Sequence, residues 1–213
     1  MKVFLLGSTG RLGNEILNTL ITRKIYTTIL IRNQEKIKLD SKYLDVYIGN
    51  PLEIDKLDKA MSNCSIVINA LNISRNSDFP WSKLRTPKTL LSETISNLIE
   101  LNKKHGFSKI ISVSAWGVLE SKKQLPFWFR WLIHNSNIKH GYLDHEKQEQ
   151  ILTASNLDYT IIRPVGLSNS QKEKAPKITI KSKPSNILVS RKTVSKFIVD
   201  NLKKYNKETV TIS

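Results

Sequence analysis

The amino-acid sequence predicts an α/β fold in which a doubly wound parallel sheet carries helices on both faces. Short apolar runs alternate along the chain with segments whose apolar residues recur at helical spacing, as in successive βαβ units. The apolar runs show little polar alternation, which is typical of strands covered on both sides. A glycine-rich turn, residues 7–13, stands between the first apolar run and the first helical segment.

Each element can be justified in order along the chain. The predicted strands are rich in aliphatic and β-branched residues and cover residues 2–6, 27–31, 45–48, 65–70, 109–113, 159–162 and 209–212. The predicted helices have an apolar face and cover residues 11–21, 52–61, 89–104, 143–154 and a last segment that begins after Ser190 and runs to residue 204. We therefore expect a single domain over residues 1–213, in which residues 165–213 form a small substrate-side lobe.

Composition and charge limit the class of protein. Cys64 is the only cysteine in 213 residues, which excludes an internal disulfide framework and paired-cysteine zinc sites; we expect a reducing, cytoplasmic setting and no metal. No apolar run has the ~18–20 residues of a membrane span, so we expect no stable membrane anchor. The formal net charge of +16 attracts polyanions. The basic residues are nevertheless spread over the chain, and we expect no specific nucleic-acid partner.

The predicted topology indicates where a ligand binds. Right-handed crossovers place the carboxyl ends of parallel strands at one edge of the sheet, and ligands bind there, near the point where the strand order reverses. The turn after the first strand holds seven candidate residues for such a site: Gly7, Ser8, Thr9, Gly10, Arg11, Leu12 and Gly13.

This glycine turn has the features of a phosphate site. Glycines let the backbone turn sharply and approach a pyrophosphate, and the following helix N-terminus offers free N–H groups and partial positive charge. Gly13 would permit close packing of the helix on the strand. A plain turn with incidental glycines is the alternative, but the strand–turn–helix context favours a dinucleotide site.

The Gly-x-x-Gly-x-x-Gly spacing from residue 7 is that of short-chain dehydrogenases. The chain resembles the atypical short-chain dehydrogenase group of NAD(P)H-binding proteins, which includes biliverdin reductase B/flavin reductase and regulators related to the nitrogen-metabolite repressor. Further matching stretches are residues 31–33, 111–115, 143–146 and 157–164. The resemblance covers nearly the whole chain and implies a Rossmann-like fold with a nicotinamide cofactor, but it specifies the substrate much less.

The end of the second strand bears on the choice of cofactor. A dehydrogenase that prefers NAD usually has a carboxylate here, to accept from the ribose 2′-hydroxyl. This chain has Arg32, and the next acid is Glu35. A guanidinium can pair with a 2′-phosphate through two hydrogen bonds, and Arg11 is a candidate for a second clamp. We therefore predict that NADP(H) is preferred and NAD(H) possible, unless Arg32 is merely a solvated strand-end residue.

The resemblance implies further cofactor contacts at the same edge. Asn50 stands where the family has an aspartate that contacts the adenine, and its amide donates and accepts hydrogen bonds without a charge. Ala70, Leu71 and Asn72 follow the fourth strand and would flank the adenosine and ribose. Pro164, which closes the sixth strand, is predicted as one more contact.

The catalytic residues of typical short-chain dehydrogenases are only partly present. Those enzymes use a serine with Tyr-x-x-x-Lys. Ser114, at the end of the fifth strand, fits the serine; its hydroxyl would hold a substrate oxygen or the nicotinamide carboxamide, or only bond its own backbone. When Glu149 is matched to the family's helical glutamate, His145 falls at the lysine position and Gly141 at the tyrosine position.

Neighbouring residues do not replace the missing pair. Tyr142 and Lys147 lie one and two positions off, and each helical residue turns the side chain by ~100°. His145 itself would bond the nicotinamide ribose or relay a proton, since imidazole exchanges one near neutral pH. A purely structural histidine is the alternative.

An aromatic stretch, residues 125–133, lies between the fifth strand and the His145 helix, where short-chain dehydrogenases build a substrate wall. Its flat side chains would suit a planar conjugated acceptor such as a flavin or quinone. A buried core helix, a subunit contact and a basic aromatic helix resting on an acidic membrane surface are the alternatives.

These observations predict an enzyme with a small-molecule substrate. We expect an NADP(H)-dependent oxidoreductase that transfers hydride to a flavin, quinone or similar carbonyl compound, acting as a monomer or homodimer. The alternative is a non-catalytic NADP(H)-binding redox sensor or regulatory protein, which the missing tyrosine and lysine favour.

Overall fold

Strands and helices alternate in the computed structural model, which describes residues 1–37, 39–172 and 174–213. The strands are β1 (Lys2–Leu6), β2 (Tyr26–Ile31), β3 (Leu44–Ile48), β4 (Ile66–Asn69), β5 (Lys109–Val113), β6 (Tyr159–Pro164), β7 (Gly166–Ser168), β8 (Ile178–Thr179), β9 (Leu188–Ser190) and β10 (Glu208–Ile212). The helices are α1 (Arg11–Thr22), α2 (Ile54–Ala60), α3 (Leu90–His105), α4 (Phe127–His134), α5 (Ile138–Ala154) and α6 (Arg191–Asp200).

The main sheet has the strand order β3-β2-β1-β4-β5-β6-β10-β8. Neighbouring strands are parallel from β3 to β10, and only β8 runs antiparallel, beside β10. The chain builds outward from β1 to β3 and then returns to the other side of β1 with β4. This reversal between β1 and β4 is the topological switch point of a Rossmann-like fold, and the predicted α/β class is confirmed.

Both faces of the sheet are covered, and β1 shows how its sequence achieves this. Successive side chains of a strand point to opposite faces. Val3 and Leu5 belong to the core under α1 and α6, whereas Phe4 and Leu6 belong to the core under α2, α3 and α5. An uninterrupted apolar strand therefore supplies both cores, as expected for a doubly covered parallel sheet.

Residues 165–213, expected to form a small lobe, are divided between two places in the structure. β7 and β9 pair in parallel as a separate two-stranded sheet. In contrast, α6 packs on α1, and β10 extends the main sheet beside β6.

Some element boundaries differ from the sequence prediction. α5 begins at Ile138 rather than at residue 143, because the packed helix tolerates Gly141, which weakens the helical signal. α2 begins at Ile54 rather than at residue 52, since Glu53 is still extended. α6 ends at Asp200, four residues before the predicted end. Most of the aromatic stretch, to which no element was assigned, belongs to α4.

The described residues show neither a membrane-spanning helix nor a cluster of metal ligands. Within these residues, no helix has the length and apolar character needed to span a bilayer. In the same part of the chain, no three His, Cys, Asp or Glu side chains lie together as metal ligands would.

Candidate functional site

A cleft of ≈ 620 Å³ opens at the carboxyl edge of the sheet, across the switch point between β1 and β4. Small-molecule sites usually measure about 300–1,000 Å³, so the volume is that of a small-molecule site. All but two of the sequence-predicted site residues line it, namely Gly7, Thr9, Gly10, Arg11, Leu12, Gly13, Arg32, Asn50, Ala70, Leu71, Asn72, Ser114 and His145.

The two exceptions lie close by. Ser8 is fully buried within the glycine turn. Pro164 is buried at the end of β6, and its carbonyl accepts a hydrogen bond from the Trp116 N–H at 3.0 Å. Neither residue lines the cleft, and their predicted cofactor contacts remain predictions.

Glycine is required at two positions of the turn for different reasons. Gly7 has a φ of +83°, and a Cβ there would lie 2.5 Å from the Ala70 carbonyl oxygen. A Cβ at Gly13 would lie 2.0 Å from the Gly7 carbonyl oxygen, so only glycine lets α1 pack this closely on the turn. At Gly10 the nearest atom to a Cβ is that same oxygen, at 3.2 Å. Gly10 therefore faces the open cleft.

The N-terminus of α1 is prepared for an anion. Gly10 is its N-cap and provides no side-chain hydrogen bond, and among the described residues of the first turn none is acidic. The first N–H groups of a helix have no partner within it, and they carry partial positive charge. The glycine turn thus presents unsatisfied donors to the cleft, as a pyrophosphate site requires.

Among the described residues, five arginines and one carboxylate, Asp78, line the cleft and give it an excess of positive charge. Arg75, Arg85 and Arg191 line it together with the predicted Arg11 and Arg32. Sequence reasoning missed the first three, although the segment after β4 leaves the sheet at the switch-point edge, which was a usable signal for Arg75 and Arg85. Partial burial, and then the charge of Arg11, lower the pKa of Arg191. This concentration of positive charge favours a phosphorylated ligand.

The two predicted phosphate clamps, Arg11 and Arg32, differ in whether their guanidinium already has an ion-pair partner. Arg11 forms a two-point ion pair with Asp78, at 2.7 and 3.0 Å, and this guanidinium lowers the pKa of the Asp78 carboxyl. Both side chains are exposed, so the pair contributes at most about 1 kcal/mol and can open. Arg32 is exposed at the end of β2, and among the described residues it has no ion-pair partner.

Ser114 has a hydroxyl without a protein partner. The residue is buried at the end of β5, and in the described part of the chain its Oγ makes no hydrogen bond. The Ser8 Oγ is in the same state. Buried polar atoms are rarely left unsatisfied, and Ser114 lines the cleft. Its hydroxyl is therefore available to a bound ligand, and it does not bond its own backbone.

A buried chain of amides fixes the orientation of the His145 ring. The Leu71 N–H donates to Asn69 Oδ1 at 3.3 Å, so the Asn69 amide nitrogen must be the group that donates to Gln148 Oε1, at 3.0 Å. Gln148 Nε2 then donates to the Val113 carbonyl at 3.2 Å and faces His145 Nδ1 at 3.3 Å. Because Nε2 of Gln148 can only donate, Nδ1 of His145 accepts. The proton of the neutral ring therefore lies on His145 Nε2.

Burial also determines the charge of His145. The side chain is 4% exposed, and desolvation lowers its pKa to about 4. At neutral pH the ring is therefore uncharged, and it does not exchange a proton near neutral pH as the sequence suggested. A neutral imidazole can instead donate a hydrogen bond.

Two buried carboxylates hold α5 in place. Asp144 accepts from the Leu91 N–H at 2.6 Å and from the Ser92 hydroxyl at 2.5 Å, which caps the N-terminus of α3. Glu149 accepts from Arg163 Nε at 3.0 Å, and Arg163 also pairs with Glu120. The helix that carries His145 is thus fixed to α3 on one side and to β6 on the other.

The position of the missing tyrosine is open. A Cβ at Gly141 would have as its nearest atom the Asn72 Oδ1 at 3.6 Å, and Asn72 lines the cleft. Tyr142 instead points toward Trp116 and donates to its carbonyl at 3.3 Å, and burial raises the pKa of Tyr142. Tyr142 does not line the cleft, as the helical geometry predicts.

The aromatic stretch does not form a wall of this cleft, since none of the described lining residues comes from residues 125–133. Phe127, Trp128 and Trp131 are exposed. Phe129 and Ile133 pack against the core instead.

Comparison with known proteins agrees with the glycine turn and the topology. The NAD(P)H-binding family matches residues 7–204, which is most of the chain. The chain belongs to this family of atypical short-chain dehydrogenases. The cleft at the switch point is therefore part of an NAD(P)H-binding domain.

Relatives match large parts of the chain in sequence or in fold. An uncharacterized sugar epimerase, YhfK of Bacillus subtilis, is 26% identical over 175 residues, covering 79% of this chain and 73% of its own. A wide-type short-chain dehydrogenase/reductase of Veillonella parvula, solved in complex with NADP, has a TM-score of 0.79 at 19% identity and covers 100% and 94% of the two chains. ChuY, an anaerobillin reductase of Escherichia coli O157:H7, has a TM-score of 0.81 at 17% identity, with 100% and 96% covered.

Proposed function

We propose that the protein is an NADP(H)-dependent oxidoreductase whose acceptor is a small planar conjugated compound, such as a flavin, a quinone or a related carbonyl compound. The observation that carries this proposal is that the glycine turn, the unpartnered Ser114 hydroxyl and the His145 ring line one cleft. The similarity to a structure that holds NADP supports the cofactor. The aromatic stretch lies outside the cleft, so the planar acceptor rests on the similarity to ChuY, an anaerobillin reductase.

Each part of the cofactor has a matching group in the cleft. The free N–H groups at the start of α1 suit the pyrophosphate. Arg32 suits a 2′-phosphate, and the exposed Arg11–Asp78 pair can open to supply a second guanidinium. Asn50 would contact the adenine and Ser114 the nicotinamide, where its hydroxyl would hold the carboxamide or an acceptor oxygen. When bound, the reduced nicotinamide supplies a hydride.

His145 would act as a hydrogen-bond donor rather than as an acid. Its Nε2–H is fixed by Gln148, and the ring is neutral. A neutral imidazole can stabilise negative charge that develops on an acceptor oxygen, as preorganised donors do. Water at the cleft mouth then provides the proton, and this division of roles does not require the missing tyrosine and lysine.

Turnover tests the proposal. Purified protein is incubated with NADPH and a panel of flavins, quinones and small carbonyl compounds, and loss of reduced cofactor is followed. We expect turnover with at least one planar acceptor and faster turnover with NADPH than with NADH. Tight NADPH binding without turnover across the panel would instead favour a redox sensor, for which the vacant tyrosine position at Gly141 is the specific argument.

A further inference from the structure

Five exposed aromatic side chains form a surface patch beside the cleft. We define this aromatic patch as Phe79, Trp81, Phe127, Trp128 and Trp131, which are 62%, 46%, 76%, 63% and 55% exposed. Single exposed apolar residues are common, but a group of large ones marks an interaction surface. The patch is not a misplaced piece of core, because α4 turns other side chains inward, as described above.

The two parts of the patch are joined by hydrogen bonds. Trp81 Nε1 donates to the Asn135 carbonyl at 2.7 Å, and the Asn135 N–H donates to the Trp131 carbonyl at 3.0 Å. The Phe79 and Trp81 rings lie 5.3 Å apart. Asn137 Nδ2 in turn donates to the Trp81 carbonyl at 2.9 Å. The segment after β4 is therefore fixed against the end of α4, which brings the exposed rings of the two segments to neighbouring positions on the surface.

The two segments that carry the patch are basic, and Asp78, the exposed acid directly before the first of them, is paired with Arg11. Residues 79–92 and 121–143, which contain all of the aromatic patch, include no aspartate or glutamate. They include seven lysines and arginines, all exposed: Lys83, Arg85, Lys88, Lys122, Lys123, Arg130 and Lys139. Residues 174–199 also carry bases without an acid, so it is the combination of exposed aromatic rings with bases that sets this surface apart.

We propose that the aromatic patch docks the protein peripherally on an anionic lipid surface. Tryptophan and phenylalanine side chains enter the boundary between headgroups and acyl chains, while neighbouring lysines and arginines attract acidic headgroups. The proposal does not depend on the chemistry of the cleft.

Other occupants fit the observations less well. A second copy docked by the same face would bring the seven cations of each chain together, which is unfavourable. Single-stranded nucleic acid is bound by aromatic side chains within a basic groove, whereas neither this cleft nor the adjoining ≈ 400 Å³ cavity is lined by residues of the aromatic patch.

Vesicle sedimentation tests this docking surface without any cofactor. Wild-type protein is spun with vesicles of phosphatidylcholine alone, or with about 30% phosphatidylserine added. We expect the anionic vesicles to bind at about tenfold lower lipid concentration, and we expect about 0.5 M salt to abolish that gain. Equal or negligible binding to both vesicle types would overturn the proposal.

Two variants separate the patch from the overall charge. Trp128→Ser/Trp131→Ser keeps the net charge and should require about tenfold more anionic lipid for the same binding. Tyr26→Ser removes a 54% exposed ring at the amino end of β2, the opposite edge of the sheet, and should bind within about twofold of wild type. Phe127→Ser provides a second patch variant should the double variant unfold.

Three outcomes would contradict the proposal. Patch variants that bind anionic vesicles as wild type does would show attraction by charge alone. A concentration-dependent dimer that the patch variants abolish would identify a second copy as the occupant. Binding of single-stranded DNA that the same variants abolish, without any effect on vesicles, would identify nucleic acid.

Discussion

Replacing His145 with asparagine should make the stability of the protein less sensitive to acid. Burial lowers the pKa of His145 to about 4 in the folded protein, against an ordinary value of 6.5. Between these values the unfolded chain binds a proton that the folded chain does not bind. The free energy of unfolding therefore falls as the pH falls through this window. Asparagine keeps an oxygen that can accept from Gln148 but does not titrate.

The size of the effect follows from the two pKa values. The stabilisation that comes from keeping His145 neutral is almost fully present at about pH 7.5. Relative to that pH, this contribution to the free energy of unfolding is lower by about 2 kcal/mol at pH 5 and by about 3 kcal/mol at pH 4. The variant keeps the carboxylates and the other three histidines, so the difference between the two proteins isolates His145.

Urea unfolding at several pH values measures this difference. We expect the stability advantage of wild type over His145→Asn to shrink by about 2 kcal/mol between about pH 7.5 and pH 5. A difference that stays constant over this range would refute the reasoning, because it would mean that the folded protein protonates His145 as readily as the unfolded chain does.

Three further predictions test other contacts. Arg32→Ala should weaken NADPH binding by about 1.5–3 kcal/mol through the loss of a charge-assisted hydrogen bond, and it should leave the affinity for NADH within a few-fold of wild type. Fluorescence titration with both cofactors measures this. Equal losses of affinity for NADPH and NADH would show that Arg32 does not bind the 2′-phosphate. Gln148→Leu should destabilise the fold by about 1–3 kcal/mol, and it should no longer hold the His145 ring in a single tautomer. Nitrogen NMR should find the Nε2–H tautomer of His145 in wild type. Finding the Nδ1–H tautomer in wild type would contradict the hydrogen-bond directions assigned to Asn69 and Gln148. Glu149→Gln should cost about 3 kcal/mol of unfolding free energy, since Arg163 loses its buried partner; Glu146→Gln on the same helix is the control, and equal stability of the two variants would show that the buried pair contributes little.

The fold was predictable because its signals are local. The apolar run 2–6, the glycines from residue 7 and the alternation that follows act within a few residues of one another. The short strands β7, β8 and β9 have two or three residues each. Such lengths carry no periodicity, and these strands exist because neighbouring segments pair with them.

The candidate site was predictable where topology decides it and hidden where tertiary contacts do. The carboxyl-edge rule places the glycine turn, Asn50 and Ser114 in one cleft. The contact between Asn69 and Gln148 joins residues 79 positions apart, so no local pattern could reveal the amide chain that orients His145. The low pKa of His145 likewise depends on burial, which spacing does not show.

The aromatic stretch shows the same limit in another form. Its composition suits a substrate wall, a core helix or an interaction surface equally well. Only the packed structure shows that Phe129 turns inward while Trp128 and Trp131 stay exposed.

Cofactor titration of Gly10→Val tests the central claim, that the cleft at the switch point binds NADP(H) through the glycine turn. A Cβ at Gly10 has only one near neighbour, the Gly7 carbonyl oxygen at 3.2 Å. The turn must shift by a few tenths of an ångström to relieve this contact, and the rest of the valine should project into the cleft. We expect NADPH affinity to fall by at least about 100-fold while thermal unfolding stays close to wild type. Asn18→Val, which places the same side chain on the exposed face of α1, should bind NADPH as wild type does. A folded Gly10→Val protein that binds NADPH with unchanged affinity would contradict the account.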